Sequence, residues 1–112
     1  MPRRKKSDAY ILFLDDERFP QGYLPLWTIA RSVAEAQTII AEQGWPQFIS
    51  FDHDLGADVA TGMDFARWIV EQDLDHAVLP SEFDFAVHSA NIVGGANIER
   101  LLRSYLSNKN KQ

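Results

Sequence analysis

Residues 10–18 read YILFLDDER, five apolar residues followed by three acids and an arginine. A continuous apolar run of this kind suits a strand covered on both faces, and the acids stop it sharply at Asp15. Two later stretches repeat the design. Residues 48–56 read FISFDHDLG and residues 83–91 read FDFAVHSAN. Each opens on a run too short for a helix and closes on Asp, His, Ser or Asn. Parallel, adjacent strands of this type bring their polar ends to one edge of one sheet, which is where open α/β sheets bind ligands.

Outward from these strands, the intervening segments read as helices. Ser32 and Glu35 form a capping box ahead of Val33, Ala36, Ile40 and Ala41, with Gly44 as a stop and Pro46 as a break. Thr61 with Asp64 makes a second capping arrangement, and Phe65, Ala66, Ile69 and Val70 recur at helical spacing. Gly94-Gly95 precedes a final helix over 96–107, with Ile98, Leu101, Leu102, Tyr105 and Leu106 inward and a Glu99–Arg103 pair outward. Leu26–Ala30 supplies one more short strand after a loop over 18–25 that contains Pro20, Gly22 and Pro25. The order strand, strand, helix, strand, helix, strand, helix implies parallel pairing with right-handed crossovers. The expected fold class is α/β: a small open, mainly parallel sheet of about four strands with helices on both faces.

The chain has 112 residues, the size of one domain. The expected organisation is a flexible basic arm over 1–9, a single domain over 10–107 and a flexible tail over 108–112. Apolar content of 46% and charged content of 24% exclude wholesale disorder. A net charge of −5 opposes non-specific nucleic-acid binding, so no DNA duplex is expected as a partner. Arg3, Arg4, Lys5 and Lys6 read as a solvated arm. There is no cysteine, which excludes disulfides and thiolate zinc sites. No apolar run approaches the roughly 20 residues that span a bilayer, and the N-terminus lacks a signal-peptide pattern, so a cytoplasmic location is expected without a membrane partner. An uncovered sheet edge leaves room for a homodimer.

Asp15, Asp16, Asp52 and Asp54 carry the main chemical signal. Clustered carboxylates repel one another, and a divalent cation removes that cost. Hard oxygen ligands favour Mg²⁺ or Mn²⁺. If residues 52–54 stay extended, the side chains of Asp52 and Asp54 share a direction. Loop-capping, solvated aspartates are the alternative reading, and it fits Asp58 and Asp64 better. His53, between two aspartates, suits a general acid, and His88 can exchange a proton from the adjacent wall of the crevice. Each histidine alone also has a structural hydrogen-bonding reading. Asp52 is a second candidate for direct chemistry, as a phosphoryl acceptor. Ser89, Asn91 and the backbone amides of Gly94 and Gly95 offer donors to a phosphate, with turn and cap roles as the alternative. Arg18 can neutralise that phosphate or balance the aspartates. Arg31 reads as a surface charge beside a strand end, His76 as incidental, and Trp27, Trp45 and Trp68 as packing residues.

The order of these residues resembles the receiver domain of bacterial two-component systems. Asp15-Asp16, Asp52 and Ser89 stand where that family carries its acidic pair, its phospho-accepting Asp and its Ser or Thr. The family's fifth strand and preceding Lys have no counterpart, since Lys109 and Lys111 fall in a polar tail. A closer resemblance is to the receiver-like group named for cyclic-phosphate processing. It is carried by LDDER (14–18), SFDHDLG (50–56), TGMDF (61–65) and VHSANIVGGANIE (87–99). That resemblance implies a truncated receiver-like fold and an active set of Asp15, Asp16, Asp52, His53, Asp54, His88, Ser89 and Asn91. It also implies metal-dependent hydrolysis of a cyclic phosphate on a nucleotide, an ADP-ribose derivative or an RNA end. The alternative is a non-enzymatic receiver-like module that responds to phosphate or metal.

Overall fold

The computed structural model describes residues 10–19 and 27–110. The basic arm, residues 20–26 of the first connection and the last two residues lie outside this set. The elements are β1 (Ile11–Leu14), β2 (Trp27–Ala30), α1 (Val33–Gln43), β3 (Phe48–Phe51), α2 (Gly62–His76), β4 (Asp84–Val87) and α3 (Ile92–Asn110). The sheet order is β2-β1-β3-β4, and every pair is parallel. This is the parallel α/β sheet that the strand and helix order predicts, in the truncated receiver-like topology that the resemblance implies.

The register positions the site. Leu14 is level with both Ala30 and Phe51, and Phe51 is level with Val87. All four strands therefore stop in one row. Backbone hydrogen bonds carry the pairing one residue further, from the amides of Asp15 to Ala30 (3.1 Å), Asp52 to Leu14 (2.9 Å) and His88 to Phe51 (2.9 Å). Asp15, Arg31, Asp52 and His88 consequently follow the strands side by side. The chain runs from β1 to β2 in one direction across the sheet and from β2 to β3 and β4 in the other. The crevice of such a sheet lies at that reversal, between β1 and β3.

The helices differ from expectation. Leu12, Leu14, Ala30, Ile49, Phe51 and Phe85 form one core with Val33, Ala36 and Ile40 of α1, Phe65 and Ile69 of α2, and Ile98 and Leu102 of α3. The described helices thus share one face of the sheet rather than covering both. The reason is topological. The β2-to-β3 and β3-to-β4 connections step the same way, so right-handed crossovers place α1 and α2 together. α3 leaves the edge strand β4 and packs on α2 and β4. The opposite face presents Ile11, Phe13, Trp27, Ile29, Phe48 and Ser50 and carries no helix among the described residues. No described helix is long and apolar enough to cross a membrane.

Both predicted N-caps form, but only α2 closes a full box, because the Glu35 carboxylate of α1 accepts the Arg31 amide (2.7 Å) instead of the Ser32 amide. Ser32 Oγ accepts the Glu35 amide at 3.0 Å, and Thr61 and Asp64 complete a reciprocal box. α3 differs at both ends. It starts at Ile92, so Gly94 and Gly95 lie inside its first turn rather than before it. Asn91 is its cap, because its Oδ1 accepts the Gly94 amide at 2.8 Å. The far end extends to Asn110, past the expected limit at 107. Lys109 anchors it by donating to the buried Asp73 carboxylate of α2 at 2.6 Å, alongside the Tyr105 hydroxyl at 2.6 Å.

Candidate active site

Asp15 is the centre of the site and is fully buried. Its Oδ1 accepts the backbone amides of Glu17 (3.0 Å) and Arg18 (2.8 Å), which a tight turn directly after β1 folds back over it. Its Oδ2 accepts from Arg18 Nε (2.9 Å) and His88 Nε2 (3.1 Å). Burial pushes the Asp15 carboxyl up. The amides of Arg18 and Glu17, the Arg18 guanidinium and the His88 ring outweigh it and hold the group below its ordinary 3.8. Asp15 is therefore ionised at neutral pH despite having no solvent contact.

Asp52 directly follows β3, the neighbouring strand, and is also buried. Arg18 Nη2 reaches its Oδ2 at 3.3 Å, so one guanidinium spans both strand-end carboxylates. Asp16 is exposed and completes the group: Asp15, Asp16 and Asp52 offer carboxylate oxygens all within 4.8 Å of one another. Oxygens from a turn and two strand ends at that separation fit a hard divalent cation. The bridging Arg18 already shows that positive charge is accommodated there. Asp54 does not join this set. The chain bends at His53 instead of staying extended, so Asp54 is turned outward while Asp52 is turned in.

His88 is held on every side. Its ring stacks on Phe13 with centroids 4.4 Å apart and planes within 5°. Burial pushes the imidazole below its ordinary 6.5 against the opposing pull of Asp15 and Asp52, so the ring is neutral at pH 7. An ionised carboxylate only accepts, so Nε2 carries the proton and donates to Asp15. Nδ1 then accepts the Ser50 hydroxyl at 2.6 Å. Both nitrogens are occupied, which makes His88 a support for Asp15 rather than a free acid or base.

His53 belongs to a second cluster. Its Nδ1 lies 2.7 Å from Asp54 Oδ1, and Asn91 Nδ2 donates to Asp54 at 3.2 Å. Hydrogen bonds from His53 and then Asn91 hold the exposed Asp54 carboxyl below 3.8. The same argument from an acceptor-only carboxylate puts a proton on Nδ1, which donates to Asp54. An open cleft of about 570 Å³ joins the two clusters, lined by Asp16, Glu17, Arg18, Asp52, Asp54, Gly56, Ala90 and Asn91.

The remaining candidates divide. Ser89 Oγ accepts the Asn91 amide at 3.0 Å, a local turn bond that leaves its own proton to donate. The Gly94 amide goes to the Asn91 side chain and the Gly95 amide to the Asn91 carbonyl (2.8 Å), so neither is available to a phosphate. Two residues matter more than their sequence suggests. Ser50 fixes the His88 tautomer from the middle of β3. Arg31 Nη1 donates to the Asp15 carbonyl at 3.0 Å and to the Arg18 carbonyl, clamping the turn that carries Asp16 and Arg18. Ser50 left a trace in the sequence as the one polar residue within FISF, whereas Arg31 left none beyond following a strand.

A family model described as the cyclic-phosphate processing Receiver domain matches residues 10–104. No curated protein and no solved structure matches the chain.

Proposed function

The chain belongs to the cyclic-phosphate processing receiver family, and we propose that it is a metal-dependent phosphoesterase that opens a cyclic phosphate on a small nucleotide, an ADP-ribose derivative or an RNA end. The observation that carries this reading is the convergence of Asp15, Asp16 and Asp52 from two adjacent strand ends, with Asp16 and Asp52 lining the cleft. Those three residues would hold Mg²⁺ or Mn²⁺. Such an ion neutralises charge on phosphoryl oxygens and orients water.

The protein's own groups supply the rest. His88 and the Glu17 and Arg18 amides keep Asp15 ionised and pointed at the cluster. The base assigned in this reading is His53, acting through Nε2 while Nδ1 is held by Asp54. In the proposed reaction this nitrogen takes the proton of the attacking water as the new P–O bond forms. It returns that proton to the leaving oxygen as the ring P–O bond breaks. Ser89 and Arg18 are the donors assigned to phosphoryl oxygens.

The test is a panel of cyclic nucleotides, RNA ending in a cyclic phosphate and an ADP-ribose cyclic phosphate, each with and without Mg²⁺ or Mn²⁺. Metal-dependent ring opening that disappears in Asp52→Asn and His53→Ala supports the hydrolase. Cation binding with no turnover on any member, together with a stable phosphoryl group on Asp52, supports the interaction module instead.

A further inference from the structure

Asp15 has no lone pair to spare. A carboxylate offers about four acceptor positions. Glu17 N, Arg18 N, Arg18 Nε and His88 Nε2 take them all. Any cation that ligates Asp15 through either oxygen must therefore displace a donor. The two amides belong to a turn clamped by Arg31. His88 is wedged between Phe13 and Ser50. Arg18 is different, because its side chain is 47% exposed and sits in the cleft wall. Its second contact, to Asp52 Oδ2 at 3.3 Å, is also the longest in the cluster.

We propose that Arg18 is a displaceable counter-cation, which holds Asp15 and Asp52 together until a divalent ion takes their oxygens and which then turns its freed guanidinium to the phosphate in the cleft. This rests on the reading of the three carboxylates as a cation site. Its consequence is order: cation first, phosphate second, with each promoting the other. A guanidinium is suited to the exchange because its planar donors match carboxylate and phosphate equally well. The clamp from Arg31 holds the Arg18 backbone in place, so that only the side chain needs to move.

The experiment measures Mn²⁺ binding by electron paramagnetic resonance for the wild-type chain, Arg18→Gln, Arg18→Lys and Asp52→Asn. It also measures methylphosphonate binding by calorimetry with and without Mg²⁺. Arg18→Gln is expected to bind Mn²⁺ about tenfold tighter than wild type, because no donor has to leave. Arg18→Lys keeps the charge but loses the two-pronged bridge, and it is expected to move most of the way to the Gln value. The gain in methylphosphonate affinity that Mg²⁺ confers on the wild type is expected to shrink by about tenfold in Arg18→Gln. Arg18→Lys matching wild type while Arg18→Gln tightens overturns displacement in favour of simple charge repulsion. Equal Mn²⁺ affinity in wild type and Arg18→Gln, with binding lost in Asp52→Asn, overturns the exchange and spares the cation site. No Mn²⁺ binding in any form overturns both.

Discussion

The His53 ring rests on the backbone of Gly94 so closely that a β-carbon there would stand 2.5 Å from Cγ and 2.6 Å from Cδ2. Helical glycine is ordinarily a liability, since Ala is favoured by about 1 kcal/mol in a helix interior. Here the missing side chain is what lets the imidazole lie against the first turn of α3 and reach Asp54. Gly94→Ala is therefore expected to leave stability within about 1 kcal/mol of wild type while pushing the ring away. The Asp54 carboxyl, held low first by His53, should then titrate closer to 3.8. A carbon-detected NMR titration of Asp54 reads this directly, and an unchanged curve would refute the packing argument.

How much of this was legible in the sequence depended on whether a residue's role was local. Asp15, Asp52 and His88 were readable because each interrupts an apolar run, and parallel strands in register then align the interruptions. The N-caps of α1 and α2 were readable because every partner lies within four residues. The Gly94-Gly95 pair reads as a helix start, since a glycine that admits the ring of distant His53 looks the same in sequence as one that opens a helix. Lys109 reads as tail because its partner, Asp73, is 36 positions away along the chain. The proton-exchange and hydrogen-bonding readings of His88 both stay open in the sequence because Ser50, its second partner, is 38 residues away.

Acid should weaken the fold in separable stages. The folded state holds His88 below 6.5, so the unfolded chain binds that proton more readily. The stability this confers is complete above pH 6.5 and is lost as pH falls through the folded value. Asp15 behaves the same way from 3.8 downward, its burial outweighed by four donors. Urea unfolding across the acid range should show a decline that begins near pH 6.5 in wild type and is absent in His88→Gln. Parallel curves for the two proteins would contradict the assignment of a neutral, buried His88.

Removing the Asp15 charge should harm the fold as well as the site. Asp15→Asn replaces one acceptor oxygen with a donor nitrogen that faces other donors. The expected loss is about 3 kcal/mol, since charged hydrogen bonds are worth about 1.5–3 kcal/mol each and a buried network loses partners on both sides. Mn²⁺ binding should fall with it. Chemical denaturation checks the first number, and a variant as stable as wild type would show that the four contacts are not strained towards an anion.

Gly62 supports the site from beneath. A β-carbon there would lie 2.1 Å from the Asp52 carbonyl oxygen and 3.1 Å from His53 Cα, all backbone that cannot rotate aside. The Gly62 amide also donates to the His53 carbonyl at 2.8 Å. Gly62→Ala must push the start of α2 away from the end of β3. Overpacking of this sort costs about 3 kcal/mol, and it should also loosen the spacing of Asp52 from Asp15. A denaturation midpoint equal to wild type would mean that α2 docks elsewhere.

The opposite end of the helical layer provides the contrast. Asp73 is buried and accepts from the Leu79 amide (2.9 Å), Tyr105 hydroxyl and Lys109 ammonium. Burial, together with Asp73, pushes the Tyr105 hydroxyl up to about 12, so it remains a donor across the physiological range. These bonds tie the C-terminal halves of α2 and α3, whereas the cleft is built from the residues before each helix starts. Asp73→Ala should therefore cost about 3 kcal/mol of stability through two orphaned donors and a lost ion pair. Yet Mn²⁺ affinity should stay within twofold of wild type, roughly the additivity limit for distant sites. Asp15→Asn with the same stability loss should abolish that affinity. If Asp73→Ala weakens Mn²⁺ as much as Asp15→Asn does, the cation site is coupled to the whole helical layer, and its geometry is not set by the strand ends alone.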